Sequence, residues 1–357
     1  MYKLDGLPVL QNTTYATVEE ARGCSTGRMS LEQHPTTGIV TNLAFDPRSI
    51  IYDTRYQNEQ AHSAVFRRHL ESVADLVSAE MDCSSLVEVG CGKGRFIELL
   101  GARGVQAQGF DPAYEGSDPR IRKELFGTSS SIRSTAIVLR HVLEHIAEPI
   151  AFLAAIRDAN GGGGLIYIEV PCFDWICVNR TWFDVFYEHV NYFRVSDFHR
   201  MFGEIQRIDH CFGGQYIGVV ADLASLREPC ADEGPEPALP RDFTGSLDTS
   251  IALDQGQDPI AVWGSSSKGV IFSTLRSRSS HPVSYAIDVN PAKQGRYLPV
   301  TGLRVLSPDE ARSVLPKGTR TWIMNSNYLS EITAAAGGHL DLRPIDFGAS
   351  STQGPNQ

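Results

Sequence analysis

The stretch of sequence that decides the fold lies at positions 86–94 and reads LVEVGCGKG. Its first four residues, Leu86 to Val89, form a short, mostly apolar run that is typical of a buried strand. The run is followed by three alternating glycines, Gly90, Gly92 and Gly94. Glycines in a strand-to-helix turn let a ligand lie close to the backbone, because no side chain stands in the way. The segment therefore predicts a ligand-binding turn.

The spacing of the glycines narrows the class of ligand. It is G-x-G-x-G, which differs from the G-x-G-x-x-G of dinucleotide-binding turns and from the G-x-x-x-x-G-K-[ST] of nucleotide phosphate loops. A second strand is predicted over Ala107 to Phe110, and Asp111 follows it directly. A carboxylate at that place can accept hydrogen bonds from both hydroxyls of a ribose. The turn and the acid together predict a site for an adenosyl group.

Strands and helices alternate through the middle third of the chain. Further predicted elements are helices over 59–80, 95–102 and 149–159 and strands over 136–139 and 165–170. This alternation predicts a parallel sheet with right-handed crossovers. A second strand, glycine turn and helix begins at Ile260, and further strands are predicted over 283–287 and 321–324. The C-terminal third is therefore predicted to be another α/β unit.

Changes in composition divide the chain into five parts. Turn-forming residues break the first 60 positions into short pieces, and residues 226–258 are rich in proline, glycine and acidic residues. The predicted parts are a small irregular N-terminal module at 1–60, an adenosyl-binding α/β domain at 61–225, a connection at 226–258, a C-terminal Rossmann-like substrate domain at 259–347 and a loose tail at 348–357.

Composition excludes several classes of protein. The 357 residues are 42% hydrophobic and 21% charged, which is typical of a folded globular chain. A net charge of -10 argues against a nucleic-acid partner, because a phosphate-binding surface needs an excess of cations. No apolar run is long enough to span a bilayer, and the seven scattered cysteines are typical of reduced thiols. We expect a cytoplasmic protein without a membrane partner.

Several blocks make the sequence recognisable. The segment from Glu88 to Gly94, with Asp111, resembles the first two cofactor motifs of class I S-adenosylmethionine-dependent methyltransferases. Further blocks are similar to the bacterial C-methyltransferase family that acts on nucleotide-linked deoxy-keto-sugars, and the likeness runs from about Arg55 to Tyr328. These blocks are RHVLEHI at 140–146, EVP at 169–171, YEHVNYF at 187–193 and DVNPAKQGRY at 288–297.

The sequence departs from the family in two places. The family's N-terminal module usually carries four zinc-binding cysteines, but only Cys24 precedes Cys83 here. The module cannot hold a tetrahedral thiolate zinc, and no metal is predicted. The family's usual tyrosine three positions before the motif histidine is replaced by Phe186, with Tyr187 at the next position. This change alters the acceptor side of the site.

The resemblance implies S-adenosylmethionine as the cofactor. The predicted cofactor contacts are Glu88, Gly90, Gly92, Gly94, Asp111 and His141. His141 and His145 stand four residues apart, but there is no H-E-x-x-H pattern and no third metal ligand in view. We therefore predict no metal at this pair.

Carbon methylation explains why histidines belong in such a site. A sugar carbon becomes a nucleophile only after a proton next to a carbonyl is removed, which calls for a base with a pKa near 7. His189 is the predicted base, with Glu188 and Tyr187 as catalytic neighbours in the same block. His145 follows the third strand and is predicted to polarise the keto oxygen.

The predicted acceptor is a small molecule, with a nucleotide sugar as the class that the resemblance implies. Its predicted contacts are Tyr192, Lys268, Lys293 and Arg296, where the three cations and the C-terminal glycine-serine turn would hold a diphosphate. In the alternative, the C-terminal α/β unit has lost its ligand and only forms one wall of the acceptor cleft.

Two other functions remain open at this point. The acceptor atom can be an oxygen or nitrogen of a specialised metabolite, which needs less help from a base. A protein of another class, a non-catalytic binding partner with a vestigial cofactor site, is also compatible with the sequence. The oligomeric state is left open.

Overall fold

The computed structural model describes residues 2–51, 55–57, 59–130, 132–233 and 238–346. The predicted loose tail at 348–357 lies outside these residues, as does part of the predicted connection. The described strands are β1 (Tyr2–Pro8), β2 (Thr26–Gln33), β3 (Val40–Asn42), β4 (Leu86–Val89), β5 (Ala107–Phe110), β6 (Ile121–Arg122), β7 (Ala136–Arg140), β8 (Leu165–Pro171), β9 (Asn191–Tyr192), β10 (Ile205–Cys211), β11 (Tyr216–Asp222), β12 (Ile260–Trp263), β13 (Tyr285–Ile287), β14 (Val305–Leu306), β15 (Arg320–Ile323) and β16 (Asp341–Pro344).

The described helices connect these strands. They are α1 (Val18–Arg22), α2 (Ala64–Glu80), α3 (Arg95–Ala102), α4 (Pro149–Ala159), α5 (Phe173–Asn179), α6 (Val195–Met201), α7 (Gly245–Leu253), α8 (Ser267–Arg276), α9 (Pro308–Val314) and α10 (Leu329–Ala336). The helix predicted from residue 59 begins later, because Ser63 is its N-cap and accepts a hydrogen bond from the Phe66 N–H. Among the described residues, every helix is too short or too polar to span a bilayer.

The middle of the chain forms a seven-stranded sheet in the order β6-β5-β4-β7-β8-β11-β10. The first five of these strands are parallel, whereas β11 is antiparallel to both of its neighbours. The chain leaves β4 towards β5 and returns after β6 on the other side of β4, at β7. The carboxyl ends of β4 and β7 therefore flank a crevice of the kind in which open α/β sheets bind ligands.

Alternate residues of the central strands face two hydrophobic cores. Val87 and Leu139 belong to one buried cluster, whereas Leu86 and Val138 belong to the other. Burial on both faces explains why these strands are almost wholly apolar. It also explains why their polar residues stand out: Glu88 is 2% exposed.

The C-terminal unit is a second parallel sheet, in the order β14-β13-β12-β15-β16. The chain passes from β12 to β13 on one side of it and later returns to β15 on the other side. The carboxyl end of β12 is therefore a second switch point. The α/β prediction for both units is thereby confirmed. The predicted boundary at 226–258 falls between the last strand of the first sheet and β12, and we keep it as a proposal.

The N-terminal module forms a four-stranded sheet with β9, in the order β1-β2-β3-β9. Residues 11–15, which we call the N-terminal strap, leave this sheet and run along the C-terminal unit. Tyr15 and Tyr297 exchange two backbone hydrogen bonds of 3.0 Å, and Gln11 and Thr13 are at most 1% exposed. The strap therefore joins parts of the chain that are far apart in sequence.

Candidate active site

A cavity of about 430 Å³ opens between the carboxyl ends of the parallel strands in the seven-stranded sheet and those in the C-terminal sheet. Both sheets present their switch points to it, which is where ligands bind in folds of this kind. Its walls include Gly90, His141 and Pro171 from the first sheet and Gly264, Asp288 and Met324 from the second. The cavity is therefore the candidate site for a cofactor and an acceptor together.

The glycine turn after β4 has the backbone that only glycine adopts easily. Gly90, Gly92 and Gly94 have φ angles of 72°, 53° and 78°. A Cβ at Gly90 would collide with Val142, and one at Gly94 with Ile121, whereas a Cβ at Gly92 would meet no described atom within 4 Å. Gly92 also lines the cavity. The space that it leaves open is therefore the place for a ligand against the backbone.

Asp111 stabilises this turn from the end of β5. One carboxylate oxygen accepts the Gly92 N–H at 2.8 Å, and the other accepts the Ala113 N–H at 2.8 Å. Each oxygen keeps a lone pair for a further donor. Asp111 is not among the described residues that line the cavity wall. Its contact with a ribose therefore stays a prediction.

Glu88 lies beneath the turn with one oxygen unused. Its Oε1 is 3.9 Å from the Arg140 guanidinium, and its Oε2 has no hydrogen-bond partner among the residues that the structure describes. Burial raises the pKa of Glu88 to about 7, against the lowering effect of Arg140. A buried carboxyl group at the cavity wall is thus available to accept a hydrogen bond from a cationic ligand group.

A second buried acid, Glu169, organises the wall beside it. It accepts the Tyr167 hydroxyl at 2.9 Å and Arg140 at 3.2 Å, and His141 and His69 lie 3.0 and 3.1 Å away. Burial raises the pKa of Glu169, but the Arg140 charge and the two imidazoles outweigh it and hold that pKa well below its usual range. The ionised carboxylate therefore orients four side chains at the end of β8.

His141 is a cation in the cavity wall. Its φ is 52°, and its backbone N–H donates to the backbone carbonyl of Glu169 at 2.9 Å. Its ring lies between Glu169 and Glu144, with Nδ1 3.4 Å from the latter. Burial lowers the pKa of His141, but the adjacent carboxylates of Glu144 and Glu169 outweigh it and raise that pKa to about 9. The sequence reasoning missed Glu144, since nothing local marks it as a partner of His141.

His145 makes a hydrogen bond that does not fit the role predicted for it. Its Nδ1 is 2.9 Å from the Glu188 carbonyl oxygen, which can only accept, so Nδ1 carries the proton. Burial lowers the pKa of His145. In the neutral ring, Nε2 then has a lone pair and no proton to donate. The prediction that His145 polarises a keto oxygen is not supported, because that role needs a donor.

His189 lies at the cavity wall in contact with His145. Their ring centroids are 4.8 Å apart in an edge-to-face arrangement, and the Phe186 ring is 4.0 Å from His189 on another side. Burial, followed by the neighbouring imidazoles, lowers the pKa of His189 well below its usual range. The imidazole is therefore neutral at pH 7, with a lone pair available to accept a proton.

Two groups of side chains have the composition of metal ligands. Ligand atoms of Glu144, His145 and His189 lie within 4.8 Å of one another, as do those of His69, Glu169 and Cys211. In these groups His145 is bonded to the Glu188 carbonyl and Glu169 accepts several donors, whereas both oxygens of Glu144 have no hydrogen-bond partner within the described residues.

Three residues of the YEHVNYF block support the fold instead of facing the cavity. Glu188 accepts the Gln11 N–H of the strap at 2.9 Å, and burial raises its pKa to about 7. The Tyr187 hydroxyl accepts the Asp46 N–H at 2.9 Å. The Tyr192 hydroxyl accepts an N–H from position 186 and donates to the carbonyl there, both at 3.0 Å. None of the three is among the described residues of the cavity wall, so direct contacts with the acceptor are not supported.

The three cations predicted to bind a diphosphate already have partners. Lys268 lines the cavity, but its Nζ is 3.0 Å from Asp184 and 3.2 Å from Gln215. Lys293 is 1% exposed, and its Nζ donates to the Ser266 hydroxyl at 2.7 Å.

Arg296 holds the strap, donating to the Thr14 hydroxyl and carbonyl at 3.0 Å each. A diphosphate grip by Lys268, Lys293 and Arg296 is therefore not supported.

The sequence reasoning also missed polar residues that join the two sheets at the cavity. Gln215 and Asn325 form a reciprocal amide pair, with N–H to O distances of 2.8 and 3.0 Å. Asn12 of the strap and Asn290 after β13 line the wall on the C-terminal side. Only the family block around Asn290 could have signalled any of them.

Comparison with known proteins indicates the protein family of the chain. Residues 59–206 match the model of a methyltransferase domain, and residues 245–340 match that of a C-methyltransferase C-terminal domain; together they cover about two thirds of the chain. The C-methyltransferase NovU of Streptomyces niveus is 22% identical over 313 residues, which are 76% of this chain and 74% of NovU.

Solved methyltransferase structures are similar at lower sequence identity. A SAM-dependent methyltransferase from Archaeoglobus fulgidus is 15% identical, with a TM-score of 0.32, over 45% of this chain and 100% of that one. Magnesium protoporphyrin IX methyltransferase from Synechocystis PCC 6803 is 15% identical, with a TM-score of 0.34, over 49% and 90%. On the two domain matches and the NovU match, the chain is a class I methyltransferase with S-adenosylmethionine as its cofactor, and it resembles the C-methyltransferases.

Proposed function

We propose that the chain methylates a carbon atom next to the keto group of a small molecule, with His189 as the base. A nucleotide-linked keto-deoxysugar is the proposed acceptor. The observation that carries the proposal is the position of the His189 imidazole, which lies edge-to-face with His145 in the wall of the cavity shared by both sheets. The C-terminal match to a C-methyltransferase domain and the NovU match support carbon as the methylated atom.

The residues present fit the cofactor. The unpartnered Oε2 of Glu88 suits the ammonium group of its methionine part, and the open space at Gly92 suits close contact with the backbone. Asp111 would bind the ribose, Gly90 and His141 would shape the remaining wall, and Gly94 would hold the turn in its left-handed conformation. When bound, S-adenosylmethionine supplies an electrophilic methyl group.

The chemistry required of the protein is proton removal. His189 accepts the proton from the carbon beside the carbonyl, and the C–H electron pair becomes the enolate, whose carbon is the nucleophile. The imidazolium that forms stays beside the enolate and offsets its negative charge. The His145 ring packs edge-to-face against this imidazole, with centroids 4.8 Å apart, so we assign His145 to orienting His189.

The test separates proton removal from methyl transfer. The enzyme, with S-adenosylhomocysteine, is incubated in deuterated water with nucleotide-linked keto-deoxysugars, and deuterium at the carbon beside the carbonyl is measured by NMR. We expect exchange in the wild type and a loss of about 100-fold or more in His189→Ala. The exposed His199 supplies the control His199→Ala, which should exchange at the wild-type rate.

Two results would contradict the proposal. One is the absence of exchange in the wild type, and the other is undiminished exchange in the His189 variant. Carbon NMR of the methylated product decides between carbon and the alternatives, oxygen or nitrogen, because the methyl resonances lie far apart.

A further inference from the structure

Most polar groups of the turn that begins α8 already have partners. Ser265 donates its N–H and its hydroxyl to the Asp288 carboxylate at 2.8 and 2.6 Å. The Ser266 hydroxyl accepts from Lys293, as described above. The side chains of Asn12 and Asn290, by contrast, each keep one buried polar atom with no partner in the described part of the chain.

Asn290 offers a hydrogen-bond donor. Its amide orientation is determined by its Oδ1, which accepts the Ala292 N–H at 3.0 Å. Its Nδ2 is left without a partner among the described residues, although the residue is 4% exposed and lines the cavity. A buried donor without a partner costs about 1–3 kcal/mol, so a ligand acceptor at this place gains that free energy.

Asn12 offers the complementary acceptor. The strap carries it to the same turn, where its Nδ2 donates to the Ser267 hydroxyl at 3.2 Å. Its Oδ1 has no partner within the described ranges, and the residue is 8% exposed and lines the cavity. The free acceptor and the free donor therefore lie beside one turn, on two different elements.

We infer that Asn12 and Asn290 form a subsite for a neutral, hydroxyl-bearing part of the acceptor, such as a sugar ring. Hydroxyl groups of one ring can donate to the Asn12 Oδ1 and accept from the Asn290 Nδ2, and so satisfy both atoms. A phosphate group offers acceptors only, and it would also face the Asp288 carboxylate, which lines the same wall. The inference rests on the proposed function only in taking this cavity as the acceptor site.

The test measures binding without methyl transfer, so its outcome is independent of the deuterium experiment. The probes are methyl α-D-glucopyranoside and inorganic pyrophosphate, titrated by NMR into the full chain saturated with S-adenosylhomocysteine. Asn290→Asp keeps the Oδ atom that the Ala292 N–H needs and replaces the donor by an acceptor. Asn12→Ala removes the partner on the other element. Gln257→Glu makes the same amide-to-carboxylate change at an exposed residue outside the cavity wall as described.

We expect the wild type and Gln257→Glu to bind the glucoside equally. Asn290→Asp and Asn12→Ala should each raise the Kd of the glucoside by about tenfold. Pyrophosphate should not displace it. The inference is overturned if the glucoside does not bind the wild type, if both cavity variants bind it normally, or if pyrophosphate competes for the site.

Discussion

Replacing Gly92 by alanine should weaken cofactor binding in addition to a loss of stability that a matched glycine variant shares. The added Cβ would project into the open space at the cavity wall, where no described atom lies within 4 Å. The N–H that Asp111 accepts is unchanged by the substitution. The variant therefore alters the surface that the cofactor contacts and leaves the hydrogen bonding of the turn intact.

The chain offers a matched control at Gly104, in the turn after α3. Gly104 also has a positive φ, 79° against 53° for Gly92, and a Cβ there likewise meets no described atom within 4 Å. Alanine in a left-handed conformation costs roughly 1–2 kcal/mol, so both variants should lose about that much stability. Gly104 is not among the described residues of the cavity wall, so only Gly92→Ala should affect the cofactor.

Calorimetric titration with S-adenosylhomocysteine measures the difference, and urea unfolding measures the stability of each variant. We expect Gly92→Ala to raise the Kd at least about tenfold, which corresponds to about 1.4 kcal/mol, and Gly104→Ala to leave it unchanged. Equal losses of affinity in both variants would show a general effect of instability. Unchanged affinity in Gly92→Ala would refute the placement of the cofactor against this turn.

Two further predictions concern residues whose contacts the structure defines. The pKa of His141, about 9 when folded against 6.5 ordinarily, means that its ion pairs with Glu144 and Glu169 stabilise the fold fully below pH 6.5 and are lost as pH rises through 9. Urea unfolding should show a decline on the order of 3 kcal/mol over this interval; an equal decline in His141→Gln would show that other groups cause it. Tyr187→Phe should cost about 1 kcal/mol of stability, because the hydrogen bond to the Asp46 N–H is lost, and it should leave kcat/KM unchanged. A tenfold or greater fall in kcat/KM would show instead that the phenol acts at the acceptor site.

The sequence predicted the strand and the glycine turn of the cofactor half, because both depend on local signals. Strand β4 runs from Leu86 to Val89 as predicted, and the alternating glycines adopt the positive φ angles that their residue type favours. The antiparallel strands β10 and β11 were not predicted. Their pairing depends on long-range neighbours, with β11 inserted beside β8.

The acceptor half could not be assigned in the same way. The motif placed Tyr187, Lys293 and Arg296 in the site, but each has its hydrogen bonds taken by a residue from another part of the chain. Conversely, Asn12 reaches the cavity only because the strap crosses to Ser267, 255 positions later. No local pattern indicates such a contact.

The amino-acid sequence by itself determined the α/β architecture, the glycine turn and the presence of histidines after β7 and β8. The tertiary structure alone decided which polar side chains face the cavity and which protonation states His141, His145 and His189 adopt. The physical reason is that strands and glycine turns follow from periodicity and backbone conformation within a few residues. The chemistry of a buried polar group depends instead on which distant donors, acceptors and charges surround it after folding.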